Sequence, residues 1–243
     1  MSAADSGTGG LDPVASVSRR DGAISTIRRA IVLGTLQPGE KLTENGLAAS
    51  LNVSRPTMRE AVAQLAQEGL LVQEPYRGLR VADLDVKAVA DTATTRVALD
   101  TLAVQEILDD PTGRRLDRVR QAWKAYDRLP VDADPVAAHE AHIAFHREIW
   151  AASENSMLIR LWPVTEAHIT IMLAYDQATR GDARRAHDVH HDMVSAILAR
   201  DEARVADALR IHTLGSASDL ISILERRAVA GQLPAGAQRS PTV

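Results

Sequence analysis

The chain has no cysteine among its 243 residues, which excludes disulfide bonds, thiol catalysis and thiolate metal sites. Aromatic residues are scarce, with one Phe, three Tyr and three Trp, so a large aromatic ligand held by stacking is disfavoured. No uncharged stretch reaches the ~18 residues that a membrane-spanning helix needs, and the N-terminus lacks the apolar core of a signal peptide. These absences predict a soluble protein of the cytoplasm.

The composition is that of a folded protein. With 45% hydrophobic and 25% charged residues, the chain has enough apolar surface for a sizeable core and suits two domains of ~80 and ~150 residues. We expect one domain over 21–82 and a second over 83–228. Residues 1–20 and 229–243 are rich in small and polar residues, glycine and proline, which predicts disordered tails.

Residues 43–68 have the pattern of two short helices joined by a tight turn. Thr43 is suited to cap the first helix, which carries Leu47 and Leu51 at i,i+4 spacing. Ser54 is suited to cap the second. The segment therefore predicts a helix-turn-helix.

The second of these helices has polar residues in its first turn. Met58, Val62 and Leu65 share one stripe, so the polar residues beside them must point away from the core. These polar residues are Arg55, Thr57 and Arg59. Arginines at a helix N-terminus suit DNA phosphates and the edges of guanine. The pattern indicates a recognition helix that reads DNA.

A β-hairpin is predicted directly after this helix. The apolar run 70–72 and the alternating run Leu79-Arg80-Val81 flank a polar segment with Gly78 near its tip. A hairpin in this place is the wing of a winged helix.

The run from about residue 27 to 81 resembles the winged-helix domain of GntR-type transcriptional regulators. The shared elements are a Pro-Gly turn, a leucine-alanine helix, Val-Ser-Arg, Arg-Glu-Ala and Glu-Gly-Leu. The resemblance implies contacts with double-stranded operator DNA. The implied contact residues are Arg55, Thr57 and Arg59 on the recognition helix, Ser54 at a phosphate, and Arg77 with Gly78 in the minor groove.

The formal charge of −4 does not oppose DNA binding. Residues 1–83 contain nine Lys or Arg and nine Asp or Glu, so the acidic excess lies beyond them. A neutral domain can bind DNA through a few local arginines, and its affinity then depends only moderately on salt.

Helical periodicity continues through most of residues 83–228. We predict helices at about 85–109, 112–128, 135–152, 155–177, 181–200 and 202–227. The fold class is therefore mainly α, with an N-terminal winged helix-turn-helix and a C-terminal bundle of six or seven helices.

All eight histidines lie between positions 139 and 212. His142 and His146 are four residues apart and therefore neighbours on one helix face. His190 and His212 lie on the last two predicted helices, each beside apolar residues. Imidazoles from facing helices can build a site for zinc, nickel or manganese. The other four are predicted at the surface or rim, namely His139, His168, His187 and His191.

The spacing of these histidines resembles the FCD ligand-binding domain of FadR-type GntR regulators, and with the winged helix the resemblance covers about residues 21–227. In metal-binding members, one aspartate and three histidines hold the ion. The resemblance implies His146, His190 and His212 as ligands, with His142 in the place of the aspartate.

Arg96 is the other residue of interest in the helical region. The run from Arg96 to Asp100 resembles the Arg-x-x-Leu-Glu of the same domain. That resemblance implies that Arg96 grips the carboxylate of an effector. The alternative is a surface ion pair between Arg96 and Asp100 at i,i+4 spacing.

We therefore predict a ligand-responsive DNA-binding regulator, a repressor, and not an enzyme. It acts as a homodimer and changes its operator affinity when a small organic acid binds the metal and Arg96. One alternative is a metal-free regulator with an apolar or acyl pocket. A second is a metal-dependent hydrolase, which the lack of a prominent carboxylate base at the histidines disfavours.

Overall fold

The computed structural model describes residues 18–74, 78–83, 85–130, 132–179 and 182–229. Its first part is a winged-helix domain. The elements of this domain are α1 (Arg19–Val32), β1 (Lys41–Leu42), α2 (Glu44–Ser50), α3 (Arg55–Glu68), β2 (Leu71–Glu74) and β3 (Gly78–Val81). The tails were predicted at 1–20 and 229–243, and most of them, 1–17 and 230–243, lies outside the described residues. α1 begins at Arg19, two residues before the expected start of the domain, and α10 includes Val229.

Local hydrogen bonds explain why the helix-turn-helix forms where it does. Thr43 accepts from the backbone N–H of Gly46 at 3.0 Å, and Ser54 accepts from that of Thr57 at 3.3 Å. Each side chain satisfies a backbone donor that the first helical turn leaves free. Gly69 ends α3 with φ of 88°, a left-handed conformation that suits glycine. Both predicted caps are confirmed.

The wing is an antiparallel hairpin in a three-stranded sheet. Leu71 pairs with Val81 and Gln73 with Leu79, while β1 adds to the other edge of β3. The predicted hairpin is therefore present. We did not predict β1, because a strand of two residues is too short to show a periodic pattern. Residues 75–77, between β2 and β3 in the chain, lie outside the described residues.

The second part is a helical domain. Its helices are α4 (Val86–Leu108), α5 (Arg114–Asp127), α6 (Pro135–Ala152), α7 (Ser156–Thr179), α8 (Ala183–Leu198), α9 (Glu202–Arg210) and α10 (Ser216–Val229). A π-helical segment, Ile211–Gly215, joins α9 to α10, where the sequence predicted one uninterrupted helix. None of the helices in the described part of the chain combines the length and the apolar character that crossing a bilayer requires.

The two domains share a hydrophobic core. Ile27 and Leu65 of the winged helix belong to the same buried cluster as Ala93 of α4, Ile171 of α7 and Leu220 of α10. A second cluster fills the rest of the helical domain. Its largest fully buried side chains include Trp150, Phe145, Ile107 and Leu158. The boundary near residue 83 therefore separates two domains in the sequence, but the two domains pack through one continuous hydrophobic core.

Candidate functional site

The N-terminal end of α3 presents the predicted DNA contacts on one face. Arg55 and Arg59 are exposed and Thr57 is half-buried, whereas Met58 is fully buried against the core. The hydroxyl of Ser54 lies 2.7 Å from that of Thr57. Two guanidinium groups and two hydroxyls thus lie at the end of the helix where the backbone dipole favours an anion.

The ion pair of Arg59 and the glycine that begins β3 also belong to the predicted DNA interface. The Nε atom of Arg59 lies 3.7 Å from a carboxylate oxygen of Glu44, and the Arg59 side chain is 73% exposed. Such a surface pair contributes little, so a phosphate can replace it. Gly78 begins β3 in an exposed position with φ of 79°. Arg77 lies outside the described residues.

Four histidines from three elements meet inside the helical domain, and we call them the histidine cluster. His142 and His146 come from α6, His190 from α8 and His212 from the π-helical segment. The Nε2 atom of His190 lies 3.0 Å from the Nε2 atoms of both His146 and His212. The ring centre of His142 lies 4.7 Å from that of His146 and 4.8 Å from that of His190.

The hydrogen bonds of the cluster decide which nitrogens are free. His190 donates from Nδ1 to the carbonyl of Ala186, so its Nε2 atom carries a lone pair. Among the described residues, the buried Nε2 atom of His142 has no hydrogen-bond partner. A buried polar atom without a partner is costly and needs an explanation. A bound ion would supply one.

Burial keeps these imidazoles neutral. It lowers the pKa of His190 to about 4 and the pKa values of His142, His146 and His212 well below their usual range. The charge of Arg96 lowers each of these pKa values further. Neutral imidazole is the form that binds metal ions, so the cluster is ready for a ligand role at pH 7.

The cluster fits a divalent ion that prefers nitrogen ligands. Ligand atoms of His142, His146 and His190 all lie within 4.8 Å of one another. Nitrogen–zinc bonds of ~2.0–2.1 Å leave two ligands of one ion roughly 3 Å apart, and the Nε2 atoms of His190 and His212 are separated by 3.0 Å. His142 and His212 are the most widely separated pair of the cluster, with ring centres 6.5 Å apart.

Arg96 is buried beside the cluster. Its Nη2 atom lies 3.0 Å from Nδ1 of His146, and its Nε atom lies 3.2 Å from a carboxylate oxygen of Asp100. The indole N–H of Trp150 donates to the other oxygen of Asp100 at 2.7 Å. Burial raises the pKa of Asp100, while Arg96 and Trp150 counteract that rise. The ion pair considered from the sequence therefore exists, but it lies inside the domain and not on the surface.

A cavity of about 100 Å³ adjoins the histidine cluster and Arg96. Its polar lining includes Thr92, Thr213 and Ser216, and its apolar lining includes Ile169, Met172 and Leu173. An apolar cavity of ~150 Å³ is large enough for benzene, so this one suits a ligand of a few heavy atoms. At its edge Arg185 forms an ion pair with Asp219 at 2.5 Å. We call this space the pocket.

The remaining four histidines lie outside the cluster. His191 is exposed, His187 contacts Asp127 at 2.8 Å, and His168 contacts its own helix backbone. His139 is half-buried, and burial lowers its pKa to about 4. His168 and His187 are half-buried as well.

The sequence did not reveal two residues that support the site. Trp150 donates a hydrogen bond to Asp100 from 50 positions away, and the half-buried ring of Tyr126 lies 5.1 Å from that of His190. A signal for Trp150 existed, because it follows His146 by four residues and so shares its helix face. For Tyr126 the sequence contains no such signal.

Comparisons with known proteins agree for both domains. Residues 20–81 match the sequence profile of the gntR family of bacterial regulatory proteins, and residues 91–215 match that of the FCD domain. The gluconate operon transcriptional repressor of Bacillus subtilis is 28% identical over 191 residues, which cover 75% of this chain and 77% of that protein.

Two further relatives extend the comparison. An uncharacterized HTH-type transcriptional regulator in an unstable DNA locus of Streptomyces ambofaciens is 41% identical over 183 residues, covering 75% of this chain and 72% of that protein. The crystal structure of a GntR transcriptional regulator from Rhodococcus sp. RHA1 superposes with a TM-score of 0.68 at 22% identity, covering 84% of this chain and 98% of the other. The likeness of structure extends over both domains.

Proposed function

The chain belongs to the GntR family of bacterial transcriptional regulators and carries an FCD domain, and from this premise we propose that a divalent ion and a small carboxylate control its binding to operator DNA. The family and the relatives indicate a DNA-binding regulator, not an enzyme, which removes the hydrolase alternative. One observation carries the proposal: four histidines and a buried arginine cluster beside a pocket that Arg96 and three of these histidines line, in a chain that also has a winged helix.

For the DNA interface we propose direct contacts from the N-terminal end of α3 and from the wing. The proposed residues are Ser54, Arg55, Thr57, Arg59, Arg77 and Gly78. Exposure of Arg55 and Arg59 at a helix N-terminus supports the assignment. Arg77, whose position is not described, is included because it neighbours Gly78 in the wing.

For the metal we propose the histidine cluster as the site, with His142, His146, His190 and His212 as ligands. Some FCD domains bind metal, and the partnerless Nε2 atom of His142 supports a ligand role for that residue. An all-imidazole set favours zinc or nickel, with manganese as a further candidate. When bound, the ion would supply a positive centre to which a carboxylate can attach.

For the effector we propose a small aliphatic carboxylate held by the ion and by Arg96. The volume of the pocket suits few heavy atoms, and a guanidinium group binds carboxylates through two parallel hydrogen bonds. The Bacillus subtilis relative is the repressor of a gluconate operon, and gluconate is itself a carboxylate. Its name supports the class of ligand without identifying it.

The shared core offers a route from the pocket to the DNA-binding domain. Ala93 and Leu220 line the pocket and also belong to the core that holds the winged helix. A ligand that favours one packing of α4 and α10 would therefore also bias the position of α3. Such coupling between two sites amounts typically to ~1–3 kcal/mol. We propose that ligand binding weakens operator binding, so that the protein is a repressor.

We further propose that the protein acts as a homodimer in the cytoplasm. A winged helix commonly reads one half-site of a two-fold operator, which requires a second copy. On α7, Met157, Leu161 and Val164 follow one side of the helix and are 57%, 41% and 49% exposed. Exposed apolar stripes of this kind mark interfaces, and we assign this one to the second copy.

The alternative is a metal-free regulator in which the four histidines are core residues. The apolar side chains of Ile169, Met172 and Leu173 in the pocket favour it. In that case the ligand would bind through Arg96 and apolar contacts alone. The two readings differ in whether ligand binding depends on metal.

Operator binding, followed by fluorescence anisotropy, tests the proposal. Zinc-loaded and chelator-treated protein are each titrated with acetate, lactate, succinate and gluconate. We expect at least one acid to weaken operator binding by about 5- to 150-fold in the zinc-loaded protein only. Release of DNA in both samples would support the metal-free alternative, and no release by any small acid would contradict the effector class.

A further inference from the structure

Arg96 holds a histidine that is also proposed to hold the metal. The Nη2 atom of Arg96 lies 3.0 Å from Nδ1 of His146. A guanidinium group has only donors and does not lose its proton in proteins. The Nδ1 atom must therefore accept this hydrogen bond. Since a neutral imidazole has one N–H, the proton of His146 lies on Nε2.

That proton occupies the atom that faces the cluster. The Nε2 atom of His146 lies 3.0 Å from Nε2 of His190. To bind an ion through Nε2, His146 must give up the proton there and carry it on Nδ1. It would then point an N–H at the N–H of Arg96, and two donors cannot bond to each other. The contact with Arg96 and the binding of an ion by His146 therefore exclude each other.

Charge acts in the same direction. Arg96 is 9% exposed and lies against a cluster made of imidazoles alone, so a divalent ion would add positive charge next to a buried cation. The carboxylate that contacts Arg96 is Asp100, at 3.2 Å. Where related domains place an aspartate in the cluster, this chain has His142. Asp100 offsets the charge of Arg96, but an ion here lacks a negatively charged ligand of its own.

We infer that Arg96 and the divalent ion compete for His146. A carboxylate anion ends the competition by binding the guanidinium group of Arg96, which releases His146. The ion and the anion therefore bind cooperatively. This inference rests on the proposed metal site and deepens it. Each ligand then binds weakly alone. The ion is opposed by the charge of Arg96 and by the hydrogen bond of Arg96 to His146, and the anion finds the guanidinium group already bonded to His146. Together they bind tightly, because the anion bridges the two positive centres.

Because Asp100 holds one end of the Arg96 side chain, a small movement of the other end is sufficient to release His146. The Nε atom of Arg96 forms an ion pair with Asp100 at 3.2 Å, and Trp150 donates a hydrogen bond to the other oxygen of Asp100 at 2.7 Å. Only the Nη2 end needs to leave His146 and turn toward the pocket, which Arg96 lines. Asp100 and Trp150 are therefore positioning residues for the exchange.

A zinc titration of the full chain with a chromogenic chelator as competitor tests the inference. Acetate serves as the anion, and chloride at equal ionic strength serves as its control. In the wild type we expect acetate to tighten zinc binding at least tenfold. Arg96→Met should bind zinc at least tenfold more tightly than the wild type in chloride and show no further gain from acetate. Arg147→Met, which removes an exposed arginine of α6, should behave as the wild type.

A second measurement does not depend on a variant of Arg96. Imidazole nitrogen shifts of the wild type, assigned with His146→Gln, should show the proton of His146 on Nε2 without zinc and on Nδ1 with zinc and acetate. Equal zinc affinity of wild type and Arg96→Met, or a proton on Nδ1 of His146 before zinc is added, would overturn the inference and leave the metal site standing. Failure of the wild type to take up zinc at all would overturn both.

Discussion

The DNA-reading end of α3 and the histidine cluster are built in opposite ways. The first takes its polar side chains from six consecutive positions, 54–59, and leaves its arginines exposed. The second gathers buried groups spread from Arg96 to His212 and surrounds them with apolar side chains. An exposed arginine costs little to place, whereas a buried one needs a partner such as Asp100. The local sequence pattern therefore determines the DNA-reading end of α3, whereas tertiary packing determines the histidine cluster.

Acidification should affect the two regions most differently, because all eight histidines lie outside the winged-helix domain. The pKa of His190 falls from 6.5 to about 4 on burial, so below pH 6.5 the unfolded chain binds more protons than the folded one. Stability of the metal-free protein should therefore be constant above pH 6.5 and fall between 6.5 and 4. Each such histidine contributes about 1.4 kcal/mol per pH unit.

Urea denaturation of chelator-treated protein between pH 4 and 7.5 measures this effect. His139, whose pKa is also lowered to about 4, should add to the slope. His191→Gln, a change at an exposed histidine, should leave the slope unaltered. Stability that stays level down to pH 5 would show that the cluster is not buried and neutral.

Because the two regions share a hydrophobic core, a mutation in that core should destabilise both. Leu220 is 2% exposed and belongs both to the pocket lining and to the core of the winged helix. Leu220→Ala should destabilise the whole chain by about 2–5 kcal/mol. Leu102→Ala, at a side chain that is 39% exposed, should cost less than about 0.5 kcal/mol.

Two probes can tell whether the regions unfold together. All three tryptophans lie in the helical domain, at positions 123, 150 and 162, and the chain has no cysteine. A dye on Ser50→Cys, an exposed position at the end of α2, therefore reports on the winged helix alone. We expect one coincident transition in urea, whereas two separate transitions would mean that the shared core does not join the domains.

Arg59→Ala should affect one region only. Loss of this guanidinium group should weaken operator binding by about 1–3 kcal/mol, or roughly 5- to 150-fold, and leave zinc binding unchanged. Anisotropy with labelled operator and the zinc titration give the two readings. Arg120→Ala removes an arginine of α5 whose side chain is 43% exposed and should change neither. Operator affinity that survives Arg59→Ala would remove that residue from the interface.

Local features of the fold were predictable from the sequence. Thr43 and Ser54 act through hydrogen bonds to residues three positions away, so their caps are visible in a short window. The wing follows from the two runs around Gly78. The histidines could be grouped because His142 and His146 share a helix face, and the structure brings all four together.

Features that depend on distant packing were not predictable. The π-helical segment Ile211–Gly215 inserts its extra residue without interrupting the apolar pattern. The core shared by Leu65 and Ile171 joins residues more than 100 positions apart. The bond from Trp150 to Asp100 likewise depends on how α6 lies against α4. Periodicity within one helix contains no information about its neighbour.

The divalent metal content of protein purified without a histidine tag or chelator tests the central claim most directly. Wild type, His190→Ala and His191→Ala are compared, since the two histidines are adjacent on α8 but only His190 is buried. In buffer that contains acetate, we predict close to one ion per protomer in the wild type and in His191→Ala, and almost none in His190→Ala. A wild type that stays empty even after ions are added, or a His190→Ala variant that keeps its ion, would contradict the account.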